Sequence, residues 1–364
     1  MTVLSFAGSR MLAAGLMLLT FAQAALAQIG MTDWRGGPMP VTLVYPTAAT
    51  ARTVTSGPFT LVVAPDAPPR EGRHRLVVIS HGTGGSAFAD HALAARLAQA
   101  GFVVAQPLHE GDNFRDQRLA GPDSFRRRPA EVTRLIDALA RDPAWSGRLV
   151  LDKVGVHGMS AGGVTGIALA GGRWRTLNLV RHCQVYATDD EGFCFQGARE
   201  GAARAARQAS YDRARGVPDL FLPGELTHWH GGRTTRSDQP DPRPDPRVAA
   251  VSLAVPLAVI FSDESLAAIR IPVGVVSADR DEVLVPRFHA EHLLRHCKTC
   301  TRLAELPGGG HFDVLWPWPE SVAREVAAQQ VRGGLPKPGF DPRAREAAHA
   351  RIVAFHRQHL LPLP

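Results

Sequence analysis

Lys153-Val154-Gly155-Val156-His157-Gly158-Met159-Ser160-Ala161-Gly162-Gly163-Val164-Thr165-Gly166-Ile167-Ala168-Leu169-Ala170 is the stretch whose reading decides the fold. Its first five residues read as a strand and its last eight as a helix. Between them, Gly158-Met159-Ser160-Ala161-Gly162 fits the G-x-S-x-G pattern of a sharp strand-to-helix turn. Such a turn lifts the Ser160 hydroxyl above the sheet. Glycines two before and two after the serine let the backbone close up without Cβ clashes. The turn also aims N–H groups of the new helix, Ala161 first, at an anion forming near the serine.

An acid and a base follow in chain order. Ile271-Pro272-Val273-Gly274-Val275-Val276 is a short apolar run suited to a buried parallel strand. Past its end, Asp279, Asp281 and Glu282 compete as the acid. Asp281 is preferred and Asp279 stands second. The base is His311, set between Leu306-Pro307-Gly308-Gly309-Gly310 and Phe312-Asp313. A glycine-rich loop leaves a histidine free to reach both an acid and a serine. The order serine, aspartate, histidine is one of three orders in which this chemistry is built.

Earlier in the chain, Arg75 to Ser80 reads as a buried strand running into His81-Gly82-Thr83-Gly84-Gly85-Ser86. This turn is expected to supply a second N–H for the oxyanion, with Thr83 as the donor beside Ala161. A phosphate-cradling loop is the competing reading, but the G-x-x-x-x-G-K-[ST] lysine is missing and no G-x-G-x-x-G is present there.

These segments together resemble the predicted dienelactone hydrolase group, which is similar to serine esterases of the platelet-activating-factor acetylhydrolase type. The matching stretches are Ser80 to Gly85, Gly101 to Ala105, His109-Glu110-Gly111-Asp112-Asn113, Arg128-Pro129, the elbow, Asp279 to Glu282, Gly310 to Asp313 and Pro338-Gly339-Phe340-Asp341. The resemblance runs from about residue 38 to the end. It implies an α/β-hydrolase fold and hydrolysis of a carboxylic ester without metal or organic cofactor. Dienelactone hydrolases carry a cysteine nucleophile, and here the residue is Ser160, which favours an esterase or lipase reading. The expected chemistry is two-step acyl transfer by Ser160, His311 and Asp281. The substrate expected is a small-molecule or lipid ester, such as a phospholipid acetyl or short-chain ester. An amidase or peptidase on the same fold is the alternative, and a hydrolase-shaped binding protein without turnover is the other.

The first 27 residues read as a signal peptide: Arg10, an apolar run from Met11 to Phe21, then Ala25-Leu26-Ala27 as a cleavage signature. Residues 28–364 are then expected as one α/β domain exported to the periplasm or medium. In an oxidising compartment the four cysteines favour disulfides, and proximity pairs Cys183 with Cys194 and Cys297 with Cys300. A zinc site on Cys297 and Cys300 with His292 or His296 is the rival, but only one C-x-x-C exists.

The formal charge is +7, and every basic residue but Lys153, Lys298 and Lys337 is arginine. The arginines are interleaved with acids, and a solvated face is the expected reading, including for Arg126-Arg127-Arg128. Nucleic acid is not an expected partner, and contact with anionic membrane is at most weak and peripheral. The sequence carries no signal of oligomeric state.

Strands are expected at 41–45, 59–63, 76–80, 102–106, 153–157, 248–255 and 272–277. Helices are expected at 88–100, 129–141, 161–170, 263–269 and 342–358, Pro129 serving as a first-turn residue. This alternation argues a mostly parallel sheet covered by helices on both faces. Residues 187–247, arginine-rich and ending in a proline-rich run, break the pattern and read as an insert capping the site. Trp316-Pro317-Trp318-Pro319 reads equally as pocket lining and as loop anchor, and His228-Trp229-His230 as packed alternation rather than metal ligands.

Overall fold

The computed structural model of the chain describes residues 28–196, 201–213, 227–230, 233–236, 244–315, 318–328 and 335–362. The expected signal peptide, Trp316-Pro317 and much of the 187–247 insert lie outside these residues.

Two N-terminal hairpin-like pairs come first: β1 (Gln28–Trp34), β2 (Val41–Thr47), β3 (Arg52–Ser56) and β4 (Phe59–Pro65). Strand and helix then alternate through β5 (His74–Ser80), α1 (His91–Gln99), β6 (Val103–Pro107), α2 (Pro122–Arg141), β7 (Leu149–Met159) and α3 (Ala161–Leu169). Three helices and a two-stranded hairpin follow: α4 (Thr176–Tyr186), α5 (Glu191–Phe195), α6 (Gly201–Arg213), β8 (Thr227–His230) and β9 (Arg233–Arg236). The remainder is β10 (Val248–Ala254), α7 (Asp263–Ala267), β11 (Val273–Ala278), α8 (Ala290–His296), β12 (Cys300–Leu306), α9 (Glu320–Ala328) and α10 (Pro342–Leu360).

One ten-stranded sheet runs in the order β12-β11-β10-β7-β5-β6-β2-β1-β4-β3. From β12 to β6 every neighbouring pair is parallel. The central parallel strands carry apolar runs because both faces are covered: β5, β6 and β11 are buried at every position. One core packs under α2 and α3, through Leu76, Val78, Val132, Leu135, Ile136, Val156 and Ile167. The other packs under α1 and α10, through Val77, Ile79, Leu93, Leu97, Val104 and Ile352. Each such buried side chain contributes roughly 1.5–3 kcal/mol.

Two expectations are corrected. The helix expected at 129–141 begins at Pro122, so Pro122 holds the first-turn position and Pro129 lies inside the helix. The chain turns into it through Gly121, at a φ of 96° that side chains avoid. The arginine triple therefore lies inside the helix, and it is not a solvated face, since Arg126 and Arg128 are both buried. Arg126 lies over the Trp174 ring and Arg128 has a carboxylate partner in Asp112. β1, β3, β9, β12, α4, α5, α6, α8 and α9 were not expected from the sequence.

All parallel strands point the same way, so the loops after β5, β7, β11 and β12 leave the sheet at one edge. Those four loops carry residues 81–86, Ser160, Asp281 and His311.

Candidate active site

The elbow is built by close backbone approach. A Cβ on Gly158 would lie 2.1 Å from the Gly162 carbonyl oxygen, and one on Gly162 would lie 1.9 Å from the Ser80 carbonyl oxygen. Only glycine fits at either place. Ser160 itself sits at φ 54°, ψ −116°, a conformation that costs a side-chain-bearing residue on the order of 1–3 kcal/mol. Its N–H is tied to the Ala254 carbonyl at the end of β10 (3.0 Å). The strained residue is therefore held at the top of the sheet between two strands. Ala161 opens α3, where a backbone N–H has no intrahelical acceptor.

His311 opens a short 3₁₀ turn, His311–Val314. Its Nε2 lies 2.9 Å from Ser160 Oγ and its Nδ1 lies 2.8 Å from Asp281 Oδ2. The second carboxylate oxygen of Asp281 accepts the N–H groups of Val283 (2.9 Å) and Leu284 (2.8 Å), which fixes the plane of the acid. Asp279 is exposed and its N–H bonds the Leu306 carbonyl. Glu282 is exposed and pairs with Lys337 (3.1 Å). Of the three acids, Asp281 is the one hydrogen-bonded to His311.

The histidine loop is pinned on both sides. Gly309 accepts the Arg280 N–H (2.9 Å), and Asp313 accepts the Gly310 N–H (2.8 Å) and the Lys337 N–H (3.2 Å). Phe340, from the tail stretch, is buried against Gly309. The Phe312 ring meets His311 edge-on, and Trp318 meets Phe312 in turn. Trp318 thus anchors the histidine loop.

Two further sets of serine–histidine contacts occur among the described residues, and burial separates them from Ser160. Ser252 Oγ lies 2.8 Å from both His157 and His356. Ser80 Oγ lies 2.8 Å from His109 Nε2, whose Nδ1 is 2.6 Å from Glu131, a serine–histidine–acid chain in its own right. Ser80, His109, Ser252 and His356 are all 0% exposed. Burial drives the histidines of both sets below their ordinary range. Neither set can meet a substrate. Ser160 is partly exposed and can. Sequence reasoning missed these buried sets because nothing local separates a buried serine from an accessible one.

A Cβ on Gly82 would come within 3.4 Å of Ser160 Cβ, so the glycine-rich loop after β5 lies directly against the elbow. Thr83 follows at that point of contact.

Cys183 is bonded to Cys194, and Cys297 to Cys300. The bonded thiols leave no Cys297–Cys300 metal site, which corrects that rival reading. Among the described residues, Asp263, His292 and His296 bring one ligand atom each within 4.8 Å of one another. His296 pairs with the exposed Asp263 (3.4 Å), and His292 faces the Phe261 carbonyl (3.3 Å), so the group ties α7 to α8.

The family model described as "Alpha/beta hydrolase family" matches residues 76–329. A ferulic acid esterase from Streptomyces cinnamoneus has a similar structure, with a TM-score of 0.54 at 18% identity over 94% of each chain. No curated protein sequence matches the chain. The family match spans the elbow, the acid turn and the histidine loop, and on it the chain belongs to the alpha/beta hydrolase family.

Proposed function

We propose that the protein is an exported serine hydrolase of carboxylic esters, working through Ser160, His311 and Asp281. The observation that carries this reading is the 2.9 Å contact between His311 Nε2 and the accessible Ser160 Oγ on a strained elbow. The sequence resemblance to the dienelactone hydrolase and platelet-activating-factor acetylhydrolase groups supports a small-molecule or lipid ester as substrate. The ester-cleaving activity of the structural neighbour agrees in kind.

In this reading Ser160 Oγ attacks the ester carbonyl carbon while His311 Nε2 takes its proton. The carbonyl oxygen becomes an oxyanion, received by the N–H groups of Thr83 and Ala161. Removing one such donor costs roughly 10²–10³ in rate. His311 returns the proton to the leaving alcohol, and the acyl group stays on Ser160. Water, deprotonated by His311, then releases the acid. Asp281 keeps the Nδ1 proton on His311 and stabilises the imidazolium formed in each step.

The test is labelling with a fluorophosphonate and turnover of a short-chain p-nitrophenyl ester beside the matched anilide. Wild type is expected to be labelled and to cleave the ester. Ser160→Ala is expected to lose both while keeping its circular dichroism spectrum and melting temperature. Ester turnover surviving in Ser160→Ala overturns the reading, and preferential turnover of the anilide moves it to an amidase.

A further inference from the structure

The loop His81-Gly82-Thr83-Gly84-Gly85 is held from behind by a buried polar set on α2. Ser124, Arg128 and Glu131 fall at i, i+4 and i+7 of that helix, so one face presents all three. Arg128 is 1% exposed. Its Nη1 donates to the His81 carbonyl (2.5 Å) and its Nη2 to the Gly82 carbonyl (3.4 Å). Nη2 also donates to Asp112 Oδ2 (2.7 Å), and Nε donates to Ser124 Oγ (2.8 Å). Asp112 is 0% exposed and closes the loop from the other side, its Oδ1 accepting the Gly84 N–H (3.0 Å). Ser124 Oγ donates to Asp112 Oδ2 (2.6 Å) and so braces the ion pair.

The Gly82 carbonyl is the decisive atom. Besides Arg128 it accepts the Gly85 N–H (3.1 Å) and the His81 Nδ1–H (2.7 Å). His81 Nε2 is left to accept the His109 N–H (3.3 Å), which fixes the ring's tautomer. The Gly82–Thr83 peptide is trans, and a trans peptide points its C=O and its N–H in opposite directions. Holding the Gly82 carbonyl toward α2 therefore turns the Thr83 N–H away from α2. Gly82 lies against Ser160. A carbonyl bonded to a cation also polarises its own peptide and makes the N–H a stronger donor.

We propose that Arg128 is the positioning residue of the oxyanion site: by gripping the His81 and Gly82 carbonyls it aims the Thr83 N–H at the carbonyl oxygen attacked by Ser160. Asp112 is its counter-ion and second hold on the loop, at Gly84. The proposal rests on the acyl-transfer reading above and adds to it the element that orients the donor. It also accounts for a costly arrangement, since a buried ion pair is weak evidence of stability by itself.

The experiment compares Arg128→Lys, Ser124→Ala and Ser160→Ala in the full chain. Active sites are counted by end-point fluorophosphonate titration, and rates on a p-nitrophenyl ester are given per titrated site. Lysine keeps the charge but lacks the fork that reaches two carbonyls and a carboxylate together. For Arg128→Lys, kcat per site should fall about 10- to 100-fold, within the loss of one oxyanion donor, with KM within about twofold. The inhibition constant of a trifluoromethyl ketone, which forms a tetrahedral adduct at the serine, should rise by the same factor. Ser124→Ala, which leaves no new charge unpaired, should show the same split at a few-fold. A purely structural role would lower the number of titratable sites and leave kcat per site and the inhibition constant at wild-type values. That result overturns the proposal. If Arg128→Lys yields no folded protein, Ser124→Ala decides by the same two readouts. A wild type that resists labelling at Ser160 overturns the acyl-transfer reading itself, whereas labelling with unchanged kcat per site in the variants removes the positioning role alone.

Discussion

Gly192 lies so close beneath the Glu282 carbonyl that a Cβ there would come 2.0 Å from its oxygen. Helix α5 is thereby pressed against the turn that carries Asp281. Two residues before Gly192, buried Asp190 accepts the Val285 N–H (3.3 Å) and hydrogen bonds from His182 (2.9 Å) and His289 (3.0 Å). Burial alone would raise the Asp190 carboxyl, but the two histidine bonds outweigh it and hold it at about 2. The Cys183–Cys194 bond brackets this aspartate. The segment after α3 thus supports the acid turn from below.

Gly192→Ala should lower activity although residue 192 is far from the serine in sequence. The methyl group must push the Glu282 backbone aside, and overpacking of this kind costs typically 1–3 kcal/mol. The displaced turn moves Asp281 with it. A fall in kcat of tenfold or more is expected, with Gly147→Ala, where a Cβ meets nothing within 4 Å, behaving as wild type. Equal kinetics for the two variants would show that α5 does not set the acid.

Asp281→Asn should cost far more rate than Asp279→Asn. The amide cannot hold the Nδ1 proton on His311 in the needed tautomer, and the loss in the best-known triad is on the order of 10⁴. Asp279 is exposed, and its replacement should leave kcat within about twofold, as surface changes usually do. Steady-state kinetics on one ester separates the two. A crippled Asp279→Asn would move the acid by two residues.

Asp90→Asn should stabilise the protein in alkaline solution and not in acid. Asp90 is buried, its Oδ2 has no hydrogen-bond partner among the described residues, and burial pushes its carboxyl up to about 7 from 3.8. The folded state then holds a proton that the unfolded chain releases. The stability this gives is complete below about pH 4, declines as pH rises and is gone above about pH 7. At roughly 1.4 kcal/mol per unit, the effect is on the order of 4 kcal/mol at most. Asparagine does not titrate, so its melting temperature should exceed wild type at pH 8 and match it near pH 4. An Asp90→Asn variant that melts with wild type at pH 8 would falsify the buried-charge account.

The two disulfides should differ in weight. Cys183–Cys194 closes 11 residues and Cys297–Cys300 closes three. Loop-closure entropy assigns them roughly 3 and roughly 2 kcal/mol. The Cys183→Ser, Cys194→Ser pair should lower the melting temperature more, and should also lower kcat because Asp190 lies between the two cysteines. The Cys297→Ser, Cys300→Ser pair should leave kcat unchanged. Thiol titration of the denatured, unreduced protein should find none. Four thiols would overturn the bonded state.

The elbow was legible in the sequence because its requirements are local. Gly158, Ser160 and Gly162 lie within five residues, and the apolar runs on either side reveal strand and helix by periodicity alone. The short-range cysteine pairs were legible for the same reason. The proline rule located a helix start but picked Pro129 over Pro122, since both satisfy it and only packing tells them apart. β3 was invisible because none of its residues is buried, and an exposed edge strand carries no apolar alternation.

What the sequence determined by itself is the parallel alternation, the serine turn and the chain order of acid and histidine. Which aspartate meets His311 was decided by the tertiary structure, across 30 residues, through the way β11 and β12 end at one edge. The burial of Arg128 was decided there too. Charge pattern places an arginine triple in solvent, yet the partners of Arg128 are Asp112 and the His81 carbonyl, 16 and 47 residues away. A buried charge is stable only beside partners that satisfy it. Where those partners are distant in the chain, only the packed sheet brings them within reach.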